Sequence, residues 1–143
     1  MWFYSDVYYV VKNIKNAPLN LKIMSKSAKT VYFFSFYLFL VGLELTFIPN
    51  FFTKTAQLPE AHEPYIRVVG ILAIILGVYY YQSAKNELTP FLKTTIVGRL
   101  IYFLGAVGLV ITQIAPPVFI AFGVVDLLGA IWTWQTLKSE GKM

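Results

Sequence analysis

The chain has 143 residues, 57% of them hydrophobic and only 13% charged, with a mean hydropathy of +0.63, a composition outside the range of soluble globular domains. It contains no cysteine, which excludes a disulfide framework, a thiolate metal site and a CxxC redox pair. The formal net charge of +5 is weighted toward the start, with Lys12, Lys15, Lys22, Lys26 and Lys29 all ahead of the apolar runs; that placement points to anionic lipid and away from nucleic acid.

Residues 1–30 form a basic N-terminal segment. "MWFYSDVYYVVKNIKNAPLNLKI" does not read as a secretory signal: no basic region opens it, Asp6 breaks its apolar run, and no small-residue cleavage site follows. Phe3, Val7, Val10, Val11 and Ile14 recur at helical spacing with Lys12 and Lys15 beside them, the pattern of a short helix lying in the cytoplasmic interface and ending before Pro18. The alternative is a start at Met24, where "MSKSAKT" makes a short basic lead into the first span.

Four apolar runs follow, at 31–49, 65–84, 91–114 and 117–137. Each has close to the ~20 residues that a helix rising 1.5 Å per residue needs to cross a ~30 Å hydrocarbon core. The ten-residue alternation of a membrane barrel is missing, so helices are the backbone solution expected in lipid. "IPNFF" closes the first run, "ELTP" places Pro90 in a first helical turn, and "IAPP" makes a tight turn before the fourth. Short joins imply antiparallel neighbours. The expected fold is therefore all-α, an integral membrane up-down four-helix bundle over residues 31–138.

Basic residues set its orientation. The five early lysines, Lys85 and Lys93 in the middle loop, and Lys138 and Lys142 after the last span fall on one side; the opposite loops offer only Lys54 outside the spans. Both termini are expected in the cytoplasm, and the bacterial inner membrane is the expected location. "VYYYQ" and "WTW" then fall near the inner interface as aromatic anchors.

Four ionisable residues lie within or at the edges of the spans: Glu44, Arg67, Arg99 and Asp126. A charge near the bilayer centre costs ~2.5 to 3.5 kcal/mol on insertion scales, so such groups face the protein interior and find partners. Depth pairs Glu44 with Arg67 near the outer end. Arg99 lies ~13 Å along the third helix from Pro90 and is paired with Asp126 near mid-depth of the fourth.

Helical spacing supplies the faces. Phe119, Phe122, Gly123, Asp126, Gly129, Ala130 and Thr133 share one side of the fourth span, and Arg67, Gly70, Ile74, Gly77 and Tyr81 line up on the second, with Ala73 and Gly77 as a small-xxx-small pair. On the third, Gly98, Gly105 and Thr112 recur beside Arg99, Tyr102, Ala106 and Gln113; on the first, Tyr37, Leu40, Glu44 and Ile48 share a face. All are read as packing seams. Two meanings stay open for the charges: they fix helix register, or Glu44, Arg67, Arg99 and Asp126, with Tyr37, Tyr102 and Gln113, line a polar cavity for the head of a lipophilic ligand or for a proton path.

No Walker loop, GxGxxG, GxSxG or HExxH occurs. Glu60, His62 and Glu63 in "QLPEAHEPY" are expected as solvated surface and not as a metal site. With the "RVVGILAIILGVYY" and "FGVVDLLGAIWT" stretches in view, residues 31–138 resemble the small four-helix DoxX-like membrane proteins. That resemblance implies a membrane subunit of a quinone-linked oxidoreductase and carries no catalytic residue onto this chain. From the residues themselves the expected function is an accessory subunit or binder of a lipophilic small molecule, without chemistry of its own. The alternatives are the quinone-linked subunit and a small membrane enzyme using Glu44 or Asp126 as acid or base. No cofactor is expected beyond a quinone or other lipid; the expected partners are the lipid bilayer and a second copy or another subunit of a membrane complex.

Overall fold

The computed structural model describes residues 24–62 and 64–143; the expected interfacial helix within residues 1–30, and with it the choice between Met1 and Met24, lies outside them. Among the described residues the structure is all helical. The elements are α1 (Lys26–Phe47), α2 (Pro49–Thr55), α3 (Tyr65–Lys85), α4 (Thr89–Ile111) and α5 (Val118–Ser139). Four of them, α1, α3, α4 and α5, are long and apolar enough to cross a membrane. They match the four apolar runs to within a few residues. The short α2 is an addition: "IPNFF" ends α1 but its proline opens a new helix at once.

Local chemistry explains the boundaries. Ser25 caps α1 by accepting from the Ala28 N–H at 3.3 Å. Pro49 and Pro90 stand first and second in α2 and α4, and Pro64 and Pro117 just before α3 and α5, all positions where a missing N–H costs nothing. Gln57, Glu87 and Gln113 close α2, α3 and α4 with left-handed φ of 55°, 53° and 59°. Behind each, an amide reaches back five residues, as Leu88 N does to the Ser83 carbonyl at 3.0 Å and Ile114 N to that of Leu109 at 2.9 Å, satisfying carbonyls that a helix end leaves open.

Packing is uneven. α1 lies chiefly against α3 and α4 against α5, with α1 also touching α5, while α3 and α4 make little contact although one tight turn joins them. The α1–α3 seam is built on glycine. A Cβ on Gly70 would stand 2.7 Å from Thr46 N and 2.8 Å from the Gly42 carbonyl, and one on Gly77 would stand 2.9 Å from the Phe39 ring. Small residues thus let the two backbones touch. At α4–α5, Gly123 is buried against Phe103 and Ala106.

Two of the expected seams are corrected. Gly98 and Gly105 are exposed, with nothing within 4 Å of where a Cβ would stand, and Thr112 is exposed; of the expected face α4 buries Arg99 and Ala106, together with Leu92 and Thr95, which were not on it. Leu40 and Ile48 are likewise exposed, and α1 turns inward Ser27, Ala28, Thr30, Val31, Ser35, Gly42 and Leu45. Both errors arise because a helix that is apolar all round gives a period analysis no contrast between core and surroundings.

One end of the molecule is held by carboxylates. Glu140, after α5, accepts from the Lys26 N–H at 2.6 Å and from the Ser27 hydroxyl at 2.6 Å, and pairs with Lys142 at 2.9 Å. Glu87, in the α3–α4 turn, accepts from the Ser25 N–H at 2.7 Å. Both acids thus occupy the start of α1, where free amides and the helix dipole favour negative charge.

Candidate functional site

The two helix pairs are separated by a cavity of about 730 Å³, within the range of small-molecule sites. Its wall is mostly apolar. α1 contributes Phe34, Tyr37, Leu38, Val41 and Leu45; α3 contributes residues from Ile66 to Tyr80; α4 contributes Phe91, Thr94, Thr95, Gly98, Arg99 and Tyr102; α5 contributes Phe119, Phe122 and Asp126. Phe52 of α2 and Leu58 after it complete the lining. Val69, Leu72, Thr94 and Tyr102 both line the cavity and are exposed, so it reaches the outer surface between α3 and α4, the two helices that scarcely touch.

Arg99 is the unusual group. It is 2% exposed, and its guanidinium lies on the Phe34 ring, 3.8 Å from the centroid, with the Tyr80 centroid at 5.4 Å, contacts that attract a cation to an aromatic face. Nη1 donates to the Thr133 hydroxyl at 3.1 Å. Thr133 in turn meets the Thr30 hydroxyl at 2.8 Å and donates to the Gly129 carbonyl at 2.9 Å. Gly129 gives the guanidinium its room, since a Cβ there would stand 3.0 Å from Nη1 and 3.1 Å from Phe34. Nε and Nη2 are buried with no hydrogen-bond partner. Buried donors left unmade cost ~1 to 3 kcal/mol each, more when charged, so two of them on one cation are a large local deficit.

The expected ion pairs do not form. Among the described residues the salt bridges are His62–Glu60 at 3.6 Å and Lys142–Glu140. Arg99 and Asp126 line the same cavity without direct contact. Tyr37 and Tyr102 line it with them, so four of the seven candidate residues come together. The other three do not join them: Glu44 is half-buried outside the lining, exposed Arg67 donates through Nη1 to the Thr46 carbonyl, and Gln113 is an exposed residue of the left-handed turn closing α4. Arg67 thereby caps the C-terminal end of α1, where Glu44 was the expected partner.

Phe34, Tyr80 and Thr133 complete the Arg99 environment. Thr133 was on the predicted α5 face, but nothing in sequence spacing links it to Arg99. Tyr80 sits in "VYYYQ", expected as an interfacial anchor; it is 6% exposed and faces inward, while its neighbour Tyr79 is exposed. Among the described residues no group of three metal-ligating side chains gathers, and Glu60 and His62 are exposed.

No family model matches the chain, and neither a curated protein nor a solved structure matches it.

Proposed function

We propose that the protein is an integral membrane four-helix bundle of up-down topology that binds a lipophilic small molecule by its polar head in the cavity beside Arg99. The observation that carries this reading is a nearly fully buried guanidinium with two unpartnered nitrogens, in the wall of a mostly apolar cavity. A cation in such surroundings needs partners, and the protein supplies one hydroxyl. A carbonyl or hydroxyl oxygen of a ligand head is the missing acceptor, with Asp126, Tyr37 and Tyr102 as further polar contacts in the same wall. The cleft between α3 and α4 provides lateral access from the hydrocarbon.

Topology and orientation are supported by which groups gather at each end. The start of α1, the α3–α4 turn and the end of α5 meet through Glu87 and Glu140, as an alternating path requires. Lys26, Lys29, Lys85, Lys93, Lys138 and Lys142 cluster in the segments at that end, which favours placing it in the cytoplasm, of a bacterial inner membrane in our reading. Service as an accessory subunit, including of the quinone-linked kind implied by the DoxX-like resemblance, is compatible with such a site.

Native mass spectrometry on protein extracted in mild detergent tests the binding reading. One small molecule per chain is expected on the wild type and none on Arg99→Ala, with Tyr102→Phe retaining it at lower occupancy. A bare polypeptide mass from wild type that circular dichroism shows to be folded would refute the reading.

A further inference from the structure

The polar groups of the cavity are not spread along it. Tyr80, Thr94, Thr95, Arg99 and Tyr37 lie between the α3–α4 turn and about mid-depth, and Tyr102 and Asp126 lie within one helical turn beyond it, whereas the part nearest α2 is lined by Leu45, Phe52, Leu58, Ile66 and Phe122. Phe52 and Phe122 stack there with centroids 5.4 Å apart, and Leu45 lies ~16 Å along α1 from Phe34, the residue that covers Arg99. The cavity therefore has a polar middle and a long apolar end next to α2.

Charge narrows the occupant further. Arg99 and Asp126 are the only lining residues ionised at neutral pH in their ordinary states, and their formal charges sum to zero. An anionic head would satisfy Arg99 but leave the Asp126 carboxylate unbalanced; a cationic head would do the reverse. Either would carry a net charge into apolar surroundings, at a cost that proteins avoid. Arg99 also lies ~15 Å along α4 from Thr89, so a head that reaches it has left the membrane interface, where a phosphate or ammonium head stays. Arg99 offers only donors and an ionised Asp126 only acceptors, which calls for a head carrying both an acceptor and a hydroxyl.

We infer that the ligand is an uncharged amphiphile whose compact head carries an acceptor oxygen and a hydroxyl, seated with that head between Arg99 and Asp126 and with its tail running toward α2. This rests on the reading of the cavity as a lipophile site and adds the class of head and the direction of the tail.

Two photoreactive 1-monoacylglycerols of equal length, one with a diazirine at the tail end and one with it next to the ester, test both parts on wild-type protein in nanodiscs. The tail-end probe should label peptides holding Phe52, Leu58 or Phe122, and the ester-side probe peptides holding Phe34, Arg99 or Tyr102. Unlabelled monoacylglycerol should compete at least tenfold better than the fatty acid or alkylamine of the same chain length. In Asp126→Asn, which keeps the side-chain shape, the fatty acid should become the better competitor. Reversed labelling, or a fatty acid that outcompetes monoacylglycerol on the wild type, overturns the inference while leaving the lipophile site standing. Absence of saturable labelling of any cavity residue by either probe overturns the site itself.

Discussion

Gly70→Ala tests whether α1 and α3 really meet backbone to backbone. The added methyl would stand 2.5 Å from the Thr46 hydroxyl, 2.7 Å from Thr46 N and 2.8 Å from the Gly42 carbonyl, where ordinary contact begins at 3.4 Å. The shortfall is about 0.6 to 0.9 Å, and two of the three obstacles are backbone, which a change of rotamer cannot move. The helices must part by about that distance, and a gap of 0.5 to 1 Å forfeits ~25 to 50% of each dispersion contact along the seam. Overpacking of this kind costs ~1 to 3 kcal/mol, and we place it at the upper end because the backbones clash. Alanine returns ~1 kcal/mol of helix propensity, leaving a net loss of ~2 kcal/mol. Gly42→Ala meets the same seam from the other side, 2.8 Å from the Gly70 carbonyl and 2.9 Å from Ile74 N, so the double variant should lose less than the sum of the singles. Gly105→Ala, with nothing within 4 Å, is the control and should be neutral or stabilising by ~0.5 to 1 kcal/mol. Reversible unfolding in mixed micelles, followed by circular dichroism, reads all four. Gly70→Ala as stable as the wild type would refute the close seam.

Three further outcomes are expected. Thr133→Val keeps shape but leaves the last bonded nitrogen of Arg99 and the Thr30 hydroxyl without this partner, and should cost ~1 to 3 kcal/mol in the same unfolding assay. Gly129→Ala asks Arg99 and Phe34 to give by a few tenths of an ångström; stability should change by less than ~1 kcal/mol while retained ligand falls, as read by lipid extraction and mass spectrometry of the purified variant. The third concerns Glu140, whose partial burial pushes its pKa up, but hydrogen bonds from the Ser27 hydroxyl, Lys142 and the Ser27 and Lys26 amides outweigh that and hold it at about 2 against an ordinary 4.5. A depressed carboxylate contributes stability above its unfolded pKa and loses it as pH falls toward its folded one. Stability should therefore decline between about pH 4.5 and about 2, and Glu140→Gln should flatten that limb in a melting-temperature profile.

The four long helices were legible because length and apolarity are properties of a segment alone. Pro90 and the "IAPP" turn marked their ends for the same reason, since proline acts on its own backbone. What could not be read was which side of each helix faces a neighbour. Gly70, Gly77 and Gly123 were placed on seams correctly, but Gly98 and Gly105 look the same in sequence and meet open space. The candidate site was half legible: Arg99, Asp126, Tyr37 and Tyr102 share one cavity wall, but the expectation that charges of opposite sign would meet failed for both pairs. Arg99 found an aromatic face and a threonine, and Arg67 found the end of α1. Aromatic and carbonyl partners are too common along this chain for spacing to single them out, whereas two acids and two bases invite pairing. The Glu140 clasp was invisible because it joins the start of α1 to the segment after α5, more than 110 residues apart in the chain, and depends on tertiary structure alone.

Whether the buried Arg99 completes its hydrogen bonding with a lipophilic ligand can be seen in an electron cryomicroscopy map of the wild-type protein in nanodiscs made with native lipid, resolved well enough to show ordered waters. Continuous elongated density is expected in the cavity, with its polar end within hydrogen-bonding distance of Arg99 Nε or Nη2 and the remainder running toward Phe52. Ordered waters alone bridging Arg99 to Asp126, with no elongated density beside them, would contradict it.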